Sequence, residues 1–182
     1  MRFLIADILT VIQALLALAA VGYIVWLTYL FAVPGYAEGP PYVPTKASAA
    51  AAMLSLLGAS QGETVIDLGS GDGRLLIAAA KTGCRAVGYE LNLPLVLWSR
   101  LTALRQGVGR SVRVRWGNFW KADLSRADVV MVFGFSTMME RLGGKFAAEL
   151  RPGARIICER YALPGWTPLA ERDGIYLYKK EG

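Results

Sequence analysis

Asp67, Gly69, Ser70, Gly71, Asp72 and Gly73 stand within VIDLGSGDGRLL (65–76), where a strand-like run breaks into glycines and a helix-like run follows. Glycine at such a turn lets the backbone approach a ligand that a Cβ would push away. The spacing is G-x-G-x-G, however, and Arg74 stands where a dinucleotide-binding loop has its third spaced glycine. Asp67 and Asp72 flank the turn, and their charge opposes a diphosphate. It suits a ligand that carries a cationic amino group and a sulfonium. Glu90, about 20 residues on, ends a second strand-like run, where a carboxylate can accept from two ribose hydroxyls. Asn118 and Phe119 follow a third run and can read an adenine edge and cover its face. Leu91 and Phe133 lie at the ends of the second and fourth runs and are counted with the cofactor-binding residues. The ligand with all of these parts is S-adenosylmethionine.

The residues that are missing narrow the chemistry further. With no histidine among 182 residues, Ser-His and Cys-His nucleophile pairs, histidine metal sites and histidine bases are removed together. Cys84 and Cys158 form no CxxC and read as buried thiols in a reducing compartment, so no metal is expected.

Residues that act on one ligand must be brought to one edge, and the pattern of runs supplies that edge. Strand-like runs at Thr64–Leu68, Ala86–Tyr89, Val112–Trp116, Asp128–Phe133 and Arg155–Cys158 alternate with helix-like runs at Lys46–Leu57, Arg74–Lys81, Pro94–Gln106 and Met138–Leu150. Short connections between alternating β and α units imply a Rossmann-like α/β fold. Its sheet is seven-stranded and mostly parallel, with helices on both faces. Ile175–Tyr178 and a shorter run before it suit an antiparallel edge pair.

The first part of the chain differs from the rest. Ala14–Val33 is twenty residues without a charge, about the length that crosses a bilayer core. Tyr23, Trp26, Tyr29, Phe31 and Tyr36 crowd its C-terminal half like an interfacial belt. A buried helix would show an apolar stripe rather than an apolar girth, and a signal peptide would have a shorter, less aromatic core. The division expected is an N-terminal transmembrane anchor at 1–36, a Pro/Gly-rich linker at 37–46 and a catalytic domain at 47–182. Flanking charges do not decide its orientation. The cofactor does, being available on the cytoplasmic or matrix side, where the domain is expected. Net charge is +6, and no acid lies between Glu90 and Asp123, whereas Arg100, Arg105, Arg110, Arg113, Arg115 and Lys121 do. That stretch reads either as a solvated helix face or as a basic surface for anionic headgroups.

DLGSGDG (67–73) with Glu90 and the strand order resembles the class I methyltransferases. PYVPT (41–45), YELN (89–92), NFWK (118–121), FGFSTMM (133–139) and GWTP (165–168) narrow this. Together they resemble the membrane-anchored lysine methyltransferases of the ATP synthase c-subunit and the adenine nucleotide translocase, with archaeal and bacterial relatives. The resemblance implies that Asp67, Gly69, Gly71 and Asp72 surround the methionine part of the cofactor and that Glu90 holds the ribose. It implies that Tyr42 and Thr45 close over the methionine carboxylate and line the acceptor channel. Asn118 stands where an Asp is expected to read the adenine amino group, a departure from the pattern.

The expected function is S-adenosylmethionine-dependent N-methylation of a lysine in a membrane or membrane-proximal protein, with no nucleic-acid partner. An amine of reference pKa about 10.4 must be desolvated or relieved of its proton before it can attack. Tyr42, Thr45 and Ser136 are the candidate catalytic residues, with Thr137 and backbone carbonyls near Gly134 as further helpers. Ser136 and Thr137 fit simple loop hydrogen bonding equally well, and Met138 and Met139 fit the core. A small or lipid-like acceptor and a non-catalytic cofactor-binding module remain as alternatives.

Overall fold

The computed structural model describes residues 2–37, 45 and 47–182. The chain divides into two compact units, Met1–Tyr42 and Val43–Gly182. In the first unit, α1 spans Arg2–Ala37 and so continues through Pro34, which falls in its last turn. A proline there removes one hydrogen bond near an end that is already short of them. Asp7–Tyr29 is long and apolar enough to cross a membrane, with mean hydropathy 2.4, and none of it is buried within the structure. Thr28 Oγ1 donates back to the Ile24 carbonyl at 2.9 Å, so its polar group is satisfied within the helix.

The second unit contains α2 (Ala47–Leu57), β1 (Thr64–Leu68), α3 (Arg74–Lys81), β2 (Arg85–Glu90), α4 (Leu93–Arg105), β3 (Val112–Trp116), β4 (Val129–Phe133), α5 (Ser136–Glu149), β5 (Arg155–Glu159), β6 (Ala170–Arg172) and β7 (Ile175–Lys179). The strands form one sheet in the order β3-β2-β1-β4-β5-β7-β6. β1 to β5 are parallel, and β7 returns antiparallel between β5 and β6. The seven-stranded Rossmann-like expectation holds. Its element ends move by one or two residues: β5 includes Glu159, and α5 begins at Ser136.

Alternation along the central strands sorts the core. On one face Val65, Val129, Met131 and Ile157 meet Met53 and Leu57 of α2 and Leu75 and Ala79 of α3. On the other, Ile66, Leu68, Val130, Val132 and Ile156 meet Met139, Leu142 and Phe146 of α5. Leu76, Ala80, Val96 and Val114 form a smaller cluster where α3 and α4 cover β2 and β3. Parallel strands covered on both faces are hydrophobic on both, hence the near-continuous apolar runs. Met139 is thus core, whereas Met138 packs at its margin. Cys84 and Cys158 are free and buried, and burial pushes the Cys158 thiol up to about 12.

Two glycines explain local packing that a larger residue would spoil. A Cβ on Gly88 of β2 would lie 2.4 Å from Leu76 Cδ1 and 2.7 Å from Ser70 Cβ, whereas one on Gly134 would meet the flexible Met139 Sδ at 2.3 Å. Gly88→Ala should therefore cost about 1–3 kcal/mol in urea unfolding, and Gly134→Ala less, because Met139 can swing away. Equal costs would contradict this account.

Candidate functional site

All five parallel strands deliver their carboxyl ends to one edge, and the order reverses between β1 and β4, where open α/β sheets place their ligands. The glycine turn sits at that point. Gly69, Gly71 and Gly73 have φ of 88°, 54° and 78°, the left-handed region that disfavours side chains. A Cβ on Gly69 would meet no heavy atom within 4 Å, so open space, not packing, lies beside it. A Cβ on Gly73 would lie 1.9 Å from Ser99 Oγ of α4. The close helix packing that a dinucleotide loop assigns to its third spaced glycine is made here by Gly73.

Backbone and carboxylate bonds hold the turn in place. Gly69 and Ser70 both donate their N–H to the Tyr89 carbonyl, at 3.0 and 3.1 Å. Glu90 Oε2 accepts from Gly71 N and Oε1 from Asn92 N, each at 2.8 Å. Glu90 therefore straps the glycine turn to the end of β2 and the start of α4. A carboxylate has about four acceptor sites, so capacity for ligand hydroxyls remains. Ser70 Oγ is buried and has no hydrogen-bond partner among the described residues.

Sequence reasoning left Arg74 as an oddity and missed Glu159. Arg74 Nε bonds both Asp72 carboxylate oxygens at 3.0 Å, and its Nη1 donates to the Thr45 carbonyl at 2.8 Å. Asp72 is thus already paired, which leaves it less free for a cationic ligand than its sequence position suggested. Thr45, 9% exposed, donates from Oγ1 to Glu159 Oε2 at 3.0 Å. The end of the PYVPT segment is fastened on one side to the glycine turn and on the other to the end of β5. Glu159 was hidden by one residue, because the expected strand stopped at Cys158; an acid beyond a buried run of Arg-Ile-Ile-Cys was the available signal. Arg160, next to it, holds φ of 81°, a conformation that costs a non-glycine residue about 1–2 kcal/mol.

The edge is crowded with negative charge. Burial, then the charges of Glu90, Asp72 and Glu159, raise Asp67 from 3.8 to about 8. Burial also raises Glu90 and Glu159, opposed at Glu90 by the Asn92, Gly71 and Leu91 amides and at Glu159 by the Thr45 hydroxyl. Other residues meet the edge in ways the sequence did not reveal. Asn118 Oδ1 accepts from Trp120 N at 2.9 Å and caps the short 3-10 turn Phe119–Lys121, so one of its acceptor sites is already used. Phe119 is only 6% exposed within the core, so most of its ring serves packing. The Leu91 carbonyl accepts from Trp116 Nε1 at 2.9 Å. Phe133 meets Phe135 edge-on at 6.1 Å and is paired in register with Glu159. Ser136 is exposed and opens α5. Tyr42 lies outside the described residues.

The group named by the sequence fits what is built here. An orphaned hydroxyl, a glycine with open space beside it and crowded carboxylates that favour a cation describe a receptor for an aminoacyl sulfonium nucleoside. The sheet order and this edge define a class I S-adenosylmethionine-dependent methyltransferase domain. Residues 67–170 match the family described as ANTKMT methyltransferase domain, and the chain belongs to it. It is 44% identical over 128 residues to the ATP synthase c-subunit lysine N-methyltransferase of Xenopus laevis, covering 70% of this chain and 56% of that protein. It is 38% identical to the mouse adenine nucleotide translocase lysine N-methyltransferase, covering 96% of this chain and 80% of that one. To a protein-lysine N-methyltransferase of Saccharolobus islandicus it is 35% identical, covering 79% and 95%. The chain spans little more than half the length of the Xenopus relative. Among solved structures it resembles an RNA methyltransferase of Salinibacter ruber in complex with S-adenosylhomocysteine, with TM-score 0.70, 33% identity and coverage of 76% and 92%.

The folded domain keeps the Asp67 proton up to about pH 8, whereas an unfolded chain releases it near 3.8. Between those values the folded state binds more protons, so ligand-free stability falls as pH rises from 5 to 8. Thermal unfolding across that range should show the decline, on the order of a few kcal/mol, and Asp67→Asn should flatten it. A slope that Asp67→Asn leaves unchanged would contradict the buried proton.

Proposed function

We propose that the chain is a membrane-anchored, S-adenosylmethionine-dependent protein lysine N-methyltransferase acting on a protein in or near the membrane. The observation that carries this reading is Thr45, fastened by Arg74 to the glycine turn and by its hydroxyl to Glu159. The last residue of PYVPT is thereby held beside the acidic edge, where a methyl donor and an amine would meet. The bound cofactor would supply a methyl group on a positively charged sulfur. Asp67 and Asp72 would face its amino group and sulfonium, with Gly69, Ser70 and Gly71 as the close backbone wall. Glu90 would hold the ribose hydroxyls. Asn118, Leu91, Phe119 and Phe133 would border the adenine end.

A lysine ammonium is drawn to this edge by its charge, yet it must lose a proton to attack. Glu159 suits that step: its carboxylate is half-buried and of raised basicity, and the Thr45 hydroxyl orients it. It would take the proton at Oε1 and leave a neutral amine. Thr45 positions Glu159, while Ser136, exposed at the start of α5, and Tyr42 would steer the acceptor. The lysine acceptor is supported by the kinship with protein-lysine N-methyltransferases. Anchorage is supported by the Asp7–Tyr29 span and would raise the domain's effective concentration near membrane-embedded acceptors, and the supply of the cofactor favours the cytoplasmic or matrix side for the domain.

Membranes from cells with and without the gene, compared by mass spectrometry, should differ by the loss of methyl-lysine from one or a few membrane proteins. With purified full chain and methyl-labelled cofactor, label should enter protein. Label in RNA, or in chloroform-extractable material, would overturn the lysine assignment. Gly69→Arg should abolish cofactor binding in calorimetry by filling the open side of the turn. Glu159→Gln should lower kcat about 100-fold or more, with the loss shrinking as pH rises and lysine deprotonates unaided, while cofactor affinity changes little. A pH-independent loss would remove Glu159 from the proton step.

A further inference from the structure

The side of the domain at the β3 edge carries an apolar face that no part of the described structure covers. One side of α4 is buried through Leu95, Val96, Ser99 and Ala103. The opposite side is apolar as well: Leu97 is 56% exposed, Trp98 56%, Leu101 42% and Leu104 67%. A helix on the surface of a globular domain ordinarily turns polar residues outward. Trp116, 62% exposed, is tied by its indole N–H to the Leu91 carbonyl and extends the face beyond the helix start. Thirteen residues at 1.5 Å each make the helical part about 20 Å long. At its C-terminal end lie exposed Arg105 and, in the following turn, Arg110, and no acid occurs in the sequence between Glu90 and Asp123.

Leucines and tryptophans projecting outward beside arginines, from a stretch of chain without acids, match the boundary between acyl chains and anionic headgroups. A second copy of the chain would cover the leucines but offer these arginines no acid from the same stretch, whereas anionic headgroups supply the opposite charge. We infer that the outer face of α4, with Trp116, docks on the surface of an anionic lipid bilayer, as a contact additional to the N-terminal span. The inference goes beyond the catalytic reading and holds whatever the acceptor is.

The test uses the full chain in nanodiscs, with a spin label on Leu101→Cys and, as control, on Glu171→Cys at the far sheet edge. Cys84 and Cys158 are buried, so the introduced thiol takes the label. In discs with about one-third phosphatidylglycerol, the label at 101 should gain access to oxygen and lose access to a water-soluble nickel chelate severalfold; the label at 171 should not. Arg105→Glu with Arg110→Glu should reverse this, since each cation near an anionic surface contributes about fivefold. Melting temperature and S-adenosylhomocysteine affinity should stay unchanged, because all these positions are exposed. Chelate access equal to that of the control sinks the proposal. Protection that is the same in phosphatidylcholine discs overturns the anionic-lipid assignment, and dipolar broadening between labels assigns the face to a second copy instead.

Discussion

Four carboxylates converge where the sheet order reverses, and at least one of them is buried where charge is poorly solvated. Like charges held this close in low dielectric cannot all be ionised without a cation among them. Arg74 answers one, pairing with Asp72, and the amides of Gly71 and Asn92 answer part of Glu90. Asp67 is left to keep its proton. A ligand bearing a fixed positive charge relieves this crowding in a way that a diphosphate could not. The polarity of the site is therefore a selection rule for its cofactor, and the rest of the domain serves to hold the carboxylates in place.

Holding them relies on bonds that bridge segments far apart in sequence. Glu90 joins the glycine turn to α4, and Arg74 joins that turn to Thr45. Thr45 in turn reaches Glu159, 114 positions away. The Thr45 and Glu90 links satisfy polar groups held in a partly buried edge, so the network that shapes the site also satisfies them, while the exposed Arg74 adds the tie to the glycine turn. The same economy appears at Gly73 and Gly88, where a missing side chain lets α4 and Ser70 approach.

Much of this was legible from local pattern. Alternating short apolar runs announce a parallel sheet because strands buried on both faces must be apolar on both. The glycine turn and its flanking acids announce the cofactor because backbone conformation and charge are local properties. Asn118 and Phe119 were legible as residues of the right edge but not in their duties: one caps a 3-10 turn and the other fills the core. Glu159 escaped because a strand end cannot be located to one residue by periodicity, and its importance comes from a contact with Thr45 rather than from its neighbours in the chain.

The sequence by itself determined the fold class, the cofactor and the presence of an apolar segment long enough to span a bilayer, since each is written in spacing, charge and length. Only the tertiary structure decided which acids crowd together, that Arg74 occupies Asp72, and that Thr45 is fastened to Glu159. It also decided that Leu97, Trp98, Leu101 and Leu104 face outward. An apolar helix reads alike on both sides until the sheet it packs against shows which side is covered.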